Sequence, residues 1–135
     1  MKQLRTDIWT VLTEDATYIS RMGSPASVPF QTFYIKPPEK PTFPETVFHF
    51  PGTTYGQEHD RDILSSRVQV VFSIWTVDED YNSIADRIIF LLHQKEQSNG
   101  WRAILAFASD EVYDSEFDTY GKRLTFDVSY RSDNT

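Results

Sequence analysis

Cysteine is absent from all 135 residues, which excludes a disulfide framework, a thiolate metal site and a Cys nucleophile. Basic residues are outnumbered, 13 Lys and Arg against 20 Asp and Glu, for a formal charge of −7. Such a chain is not built to grip nucleic acid, because affinity for phosphates comes mainly from Lys and Arg. Acidity does not exclude closeness to DNA, since a surface that DNA must slide past without sticking is best acidic. Glycine is sparse, and Gly23, Gly52, Gly56, Gly100 and Gly121 lie too far apart for a phosphate-cradling fingerprint. No G-x-S-x-G nucleophile elbow occurs. No run approaches the roughly 20 apolar residues that cross a bilayer, and residues 1–7 lack the apolar core of a signal peptide. The expectation is a soluble cytosolic product with no membrane partner.

What the chain does have is aromatic mass: ten Phe, seven Tyr and three Trp. Burying each large side chain is worth roughly 1.5–3 kcal/mol, enough in sum to build one core. A chain of this length is expected to form a single domain over residues 1–135. Leu4, Ile8, Val11 and Leu12 fall at helical spacing, and Thr13-Glu14-Asp15 marks a helix restart that ends before Gly23 and Pro25. Residues 30–35 and 46–50 read as strands. Between them Pro37, Pro38, Pro41 and Pro44 impose an extended arm rather than a tight hairpin.

Residues 51–62 are polar and carry two glycines, and the poorly anchored stretch extends to about residue 66. Residues 67–76 alternate, with Val68, Val70, Phe72 and Ile74 on one face and Gln69, Val71, Ser73 and Trp75 on the other. Thr76 with Glu79 fits a capping box for a helix bearing Tyr81, Ile84, Ala85, Ile88, Leu91 and Leu92 on one face, ended by Asn99-Gly100. Residues 101–107 and 122–131 read as the last strands, separated by an acidic stretch at 110–120. The order of elements predicts an α+β domain, a mostly antiparallel sheet with helices packed on one face.

Few residues suggest chemistry. One imidazole and several carboxylates crowd Glu58-His59-Asp60-Arg61-Asp62, and a metal-dependent hydrolase or nuclease could be built there. A catalytic metal needs about three well-spaced ligands, and no such spacing is present, so a solvated polar loop is the simpler reading. His49 is read as a strand residue and His93 as a helix-end residue. The pairs Asp78 with Asp80 and Asp114 with Glu116 fit a helix start and a turn better than acid–base work. Trp75, with Val71, marks either a second covered sheet face or an exposed contact surface. Neither catalytic residues nor a cofactor is expected. A small-ligand α+β module is a further alternative, which a defined apolar pocket would distinguish.

Several segments carry a family likeness. Tyr34-Ile35-Lys36-Pro37-Pro38 is followed by Phe43-Pro44-Glu45-Thr46-Val47-Phe48 and the Gly52 loop. Residues 67–76 run directly into Tyr81-Asn82-Ser83-Ile84-Ala85-Asp86-Arg87-Ile88, and residues 114–120 precede a strand ending Val128-Ser129-Tyr130-Arg131. In this pattern the chain resembles, nearly end to end, the tail terminator or tail completion proteins of siphophages, the lambda-like terminators included. The resemblance implies a hexameric ring on the last tail-tube ring, which stops tube polymerisation and offers a docking face to the head connector or another head-completion protein. Genomic DNA would pass through without specific binding. The place implied is the neck at the head-proximal end of the virion tail, reached from the host cytoplasm during assembly. Another neck or head-completion role is the near alternative.

Two groups of residues follow as expectations. Tyr55, Glu58, Asp60, Arg61 and Asp62, in a loop that becomes ordered only on meeting its partner, and Trp75 on the sheet are the expected protein interface. Asp110, Glu111, Asp114, Glu116 and Asp118 are the expected channel wall.

Overall fold

A computed structural model describes residues 2–22, 32–35, 43–51, 65–78, 80–97 and 100–131. Among these, the helices are α1 (Lys2–Thr13), α2 (Ala16–Arg21) and α3 (Tyr81–Leu92). The strands are β1 (Thr32–Tyr34), β2 (Glu45–His49), β3 (Ser65–Thr76), β4 (Arg102–Ala108), β5 (Val112–Asp114) and β6 (Thr119–Arg131). They form one six-stranded sheet ordered β1-β2-β3-β6-β4, with β5 pairing the other end of β6. Every pairing is antiparallel except β1 with β2. A parallel pair cannot be joined by a hairpin, which agrees with the arm that the four prolines imply; most of that arm lies outside the described residues.

The period-two alternation of β3 and β6 does what it predicts. Val68, Val70, Phe72 and Ile74, and from β6 Leu124, Phe126 and Val128, are all buried against the helices. Phe72 sits at the centre, with ring centroids 5.7 Å from Phe48 of β2 and 5.6 Å from Phe126 of β6. Leu4, Ile8 and Leu12 of α1, and Ile84, Ala85, Ile88 and Leu92 of α3, close the core from above. Val11 is only half-buried at its margin.

Polar side chains fix how the helices sit. Asp15 caps α2, its Oδ2 accepting from the Tyr18 N–H at 2.7 Å. The same carboxylate receives the Arg87 guanidinium as a fork, Nε and Nη2 each at 2.8 Å, which ties α2 to α3. That fork holds the Asp15 carboxyl below its usual range, although partial burial opposes the shift. Tyr18 and Thr32 share a buried hydrogen bond of 2.8 Å, and Trp9 Nε1 donates to the Thr32 carbonyl at 3.1 Å, so α1 and α2 both anchor β1. Burial pushes the Tyr18 phenol up to about 12 and keeps it a neutral partner.

Several boundaries differ from the sequence expectation. β3 already begins at Ser65, pairing with Arg131, inside the stretch expected to be a loop to about residue 66. Thr76 ends β3, and its hydroxyl donates to the Tyr120 carbonyl at 3.4 Å, instead of capping a helix. α3 starts at Tyr81 behind Asp80, which makes no side-chain cap. At its other end α3 stops at Leu92, well short of Asn99-Gly100. His93-Gln94-Lys95-Glu96-Gln97 contains no helix breaker; tertiary pairing overrides propensity there, because the segment turns to bond the outer edge of β4. Gln94 N–H donates to the Ala103 carbonyl at 2.8 Å and Gln97 N–H to that of Trp101 at 2.9 Å. Lastly, the acidic stretch is itself partly sheet, since β5 and the first residues of β6 form a hairpin inside it.

Candidate assembly surfaces

With the helices on one side, the opposite side of the sheet has no helix among the described residues. Its residues follow from register: Phe33 and Val47, then Ser73 and Arg123, form one row, and His49, Val71, Thr125 and Phe107 another. Ile104, Asp127 and Gln69 form a third row, and Arg102, Ser129 and Arg67 a fourth. Ile104 and Phe107 are 47% and 62% exposed, large apolar side chains left open on a strand. Arg67, Arg102 and Arg123 are exposed too, against one exposed carboxylate among the described residues of this face, Asp127, which accepts from Gln69 Nε2 at 3.3 Å.

Trp75 belongs to this face and is half-buried. It stands opposite Gly121, where a Cβ would come within 2.6 Å of the indole Cε3 and would also meet the Ile74 carbonyl. The indole therefore lies on the sheet where a glycine makes room for it. On its other side stands Glu45, 4% exposed, with Oε2 lacking any hydrogen-bond partner. Burial pushes the Glu45 carboxyl up to about 7.

The open edge of β4 is managed along half its length. His93 Nδ1 accepts the Leu105 N–H at 2.9 Å, and residues 94–97 bond the strand before it. A register shift between Leu105 and Phe107 breaks the ladder beyond that point. Together these devices protect an edge from pairing with other strands, while Phe107, just past them, stays exposed.

The expected channel-wall residues come together on the β5–β6 hairpin, but not as a bare row of carboxylates. Glu111 accepts from the Tyr81 hydroxyl at 2.5 Å, Asp118 from the Tyr113 hydroxyl at 2.6 Å, and Asp114 from the Glu116 N–H at 2.9 Å. The Asp78 carboxylate likewise accepts from the Asp80 N–H at 3.3 Å, so both carboxylate pairs shape turns. Asp110 and Glu116 are exposed. Tyr113 and Phe117 are 52% and 43% exposed at the same tip. Phe117 meets the Phe43 ring at 5.9 Å, and Tyr113 meets Tyr120 at 5.2 Å.

Tyr55, Glu58, His59, Asp60, Arg61 and Asp62, the loop interface and the hydrolase candidate alike, lie outside the described residues. Among the described residues no three His, Asp or Glu side chains are grouped as metal ligands, and no helix is long and apolar enough to cross a membrane. Sequence reading overlooked Ile104, Phe107, Tyr113, Phe117 and Glu45. Phe117 left a signal, a large apolar residue inside an acidic turn. Glu45 left none, because alternation with Thr46 and Phe48 places it on the outer face and says nothing of its burial.

Sheet order, pairing and one-sided helices define an α+β domain with an open, mostly antiparallel sheet. No family model matches the chain, and no curated protein matches it. Among solved structures it is similar to a chain from the virion of a native gene transfer agent particle, at 14% sequence identity and a TM-score of 0.69. That match covers 96% of this chain and 95% of the other. At such identity the likeness establishes a shared fold.

Proposed function

We propose that this protein is a structural virion component, a tail terminator, and has no catalytic role. It forms a ring, hexameric by the resemblance, on the last ring of the tail tube; it ends tube growth and presents a face to the head connector. The observation that carries this is the match in fold over nearly the whole length of both chains to a component of a virion. It is an argument from fold analogy. The two exposed surfaces add a physical one, because a cyclic assembly of more than two copies needs two different complementary patches on each subunit. The acidic hairpin has two candidate uses in such a ring, lining the DNA channel or meeting the next subunit, and its exposed aromatics favour the second.

Electron microscopy of particles from a phage deleted for this gene tests the reading. Tubes of uncontrolled length support a terminator. Tails of normal length that fail to join heads point instead to a head-completion role, and normal tails on filled heads overturn both.

A further inference from the structure

We propose that the acidic hairpin of one copy docks on the sheet face opposite the three described helices of the next, through Tyr113, Phe117, Asp110 and Glu116 on one side and Ile104, Phe107 and the arginines on the other. This rests on the ring reading above and names the contact that would close the ring.

Four of the exposed large hydrophobics fall into two separate patches, Ile104 with Phe107 on the sheet face and Tyr113 with Phe117 at the hairpin tip. The charges divide in the same way. Residues 109–121 contain five carboxylates and no Lys or Arg. The sheet face sets exposed Arg67, Arg123 and Arg102, the last also donating to the Gln94 carbonyl at 3.4 Å, against one exposed carboxylate, Asp127, and the buried Glu45, in a chain that is strongly acidic as a whole. Hairpin on hairpin or face on face would bring like charges together, whereas hairpin on face pairs carboxylates with guanidinium groups and covers aromatic with apolar surface. Two unlike patches that fit one another define a head-to-tail contact, the kind that closes into a ring.

The hairpin is also ready to dock. Its turn is braced by the Asp114 to Glu116 and Tyr113 to Asp118 hydrogen bonds, and its root by the Tyr81 hydroxyl on Glu111. A braced loop loses little freedom when it is covered, which lowers the cost of association. A wall facing DNA has no comparable use for two exposed aromatic rings.

The test is a charge swap in the full chain, read by sedimentation of the free protein and of tubes carrying it, with circular dichroism as the check on folding. Asp110→Lys with Glu116→Lys, and separately Arg102→Glu with Arg123→Glu, should each weaken ring formation by at least about tenfold. All four changes in one chain should restore it, because every contact is then reversed on both sides. The absence of cysteine allows a second measurement: a chain carrying Glu116→Cys mixed with one carrying Arg102→Cys should form a disulfide dimer, while either variant alone should not. If the unaltered chain forms rings and both charge-reversed chains do so equally well, the contact is wrong and the ring stands. Rings that persist while Asp110→Lys with Glu116→Lys slows DNA ejection would likewise overturn the contact and place the hairpin on the channel. If the unaltered chain never associates, free or on tubes, the ring reading fails and takes the contact with it.

Discussion

The two faces of this one sheet are made from alternate residues of the same strands, yet they have opposite characters. Along β3, Val70, Phe72 and Ile74 are fully buried, while Gln69, Val71, Ser73 and Trp75 between them are half-buried or exposed. Along β6, Leu124, Phe126 and Val128 alternate with Arg123, Thr125, Asp127 and Ser129 in the same way. The covered face has the aromatic contacts that hold the domain together. The open face instead presents Ile104, Phe107 and three arginines as exposed side chains. In the proposed ring, period-two alternation would let one strand serve stability through one face and assembly through the other.

The largest expected effect comes from breaking the covered face. Phe72→Ala removes the ring between Phe48 and Phe126 and should lower stability by about 3–5 kcal/mol, through lost burial plus the cavity left behind. Urea unfolding followed by tryptophan fluorescence measures it. A loss below about 1 kcal/mol would mean that the sheet is not held from that side.

Glu45 crosses the division, a buried carboxyl on the open face. Its folded pKa is raised, from 4.5 to about 7, so folding favours the protonated form. The stabilising contribution is fully present below pH 4.5 and is lost as pH rises through 7, by on the order of 2–3 kcal/mol. Asp15 works in the opposite sense. Its pKa is lowered from 3.8 by the Arg87 fork, so its contribution is present above that pH and is lost as pH falls below it. Stability should therefore pass through a maximum on the acid side of neutrality. Glu45→Gln should flatten the fall between pH 4.5 and about 7 and leave the acid limb in place; an unchanged slope would show that the carboxyl is solvated.

How much of this was legible in the sequence depends on the range of the signal. The fold class, both long strands and the buried face of α3 follow from periodicity, because burial enforces it residue by residue. Where α3 ends does not, since Gln94 leaves the helix only because β4 offers it a hydrogen bond. The β5 strand was hidden for a similar reason: a three-residue strand carries no period of its own, and its acidic composition argued for a turn. Of the expected interface residues, Trp75 was placed on the right face by alternation alone. What makes its half-buried position possible is Gly121, a contact across strands that no local pattern encodes.

That contact gives a smaller effect on the open face. Gly121→Ala places a methyl against the Trp75 indole and the Ile74 carbonyl, and should cost about 1–3 kcal/mol. Trp75→Ala in the same chain should recover only the part due to the indole, because the backbone carbonyl cannot move aside without breaking the β3–β6 ladder. Full recovery in the double variant would mean that the backbone yields freely at that point.

The smallest effect on stability is expected where the effect on assembly is greatest. Phe107→Ser removes a ring that is 62% exposed beyond the register shift of β4, and truncating an exposed side chain normally changes stability by no more than about 0.5 kcal/mol in either direction. Because the lost contacts are with water, the folded monomer should hardly notice. The proposed ring should, since Phe107 belongs to the docking contact proposed above, and binding free energy concentrates on large side chains that such a contact buries. Unfolding midpoint and sedimentation, measured on the same preparation, separate the two: an unchanged midpoint with weakened association is the expected pair. A lowered midpoint would show that Phe107 packs within its own subunit, and that the open face belongs to the fold rather than to the assembly.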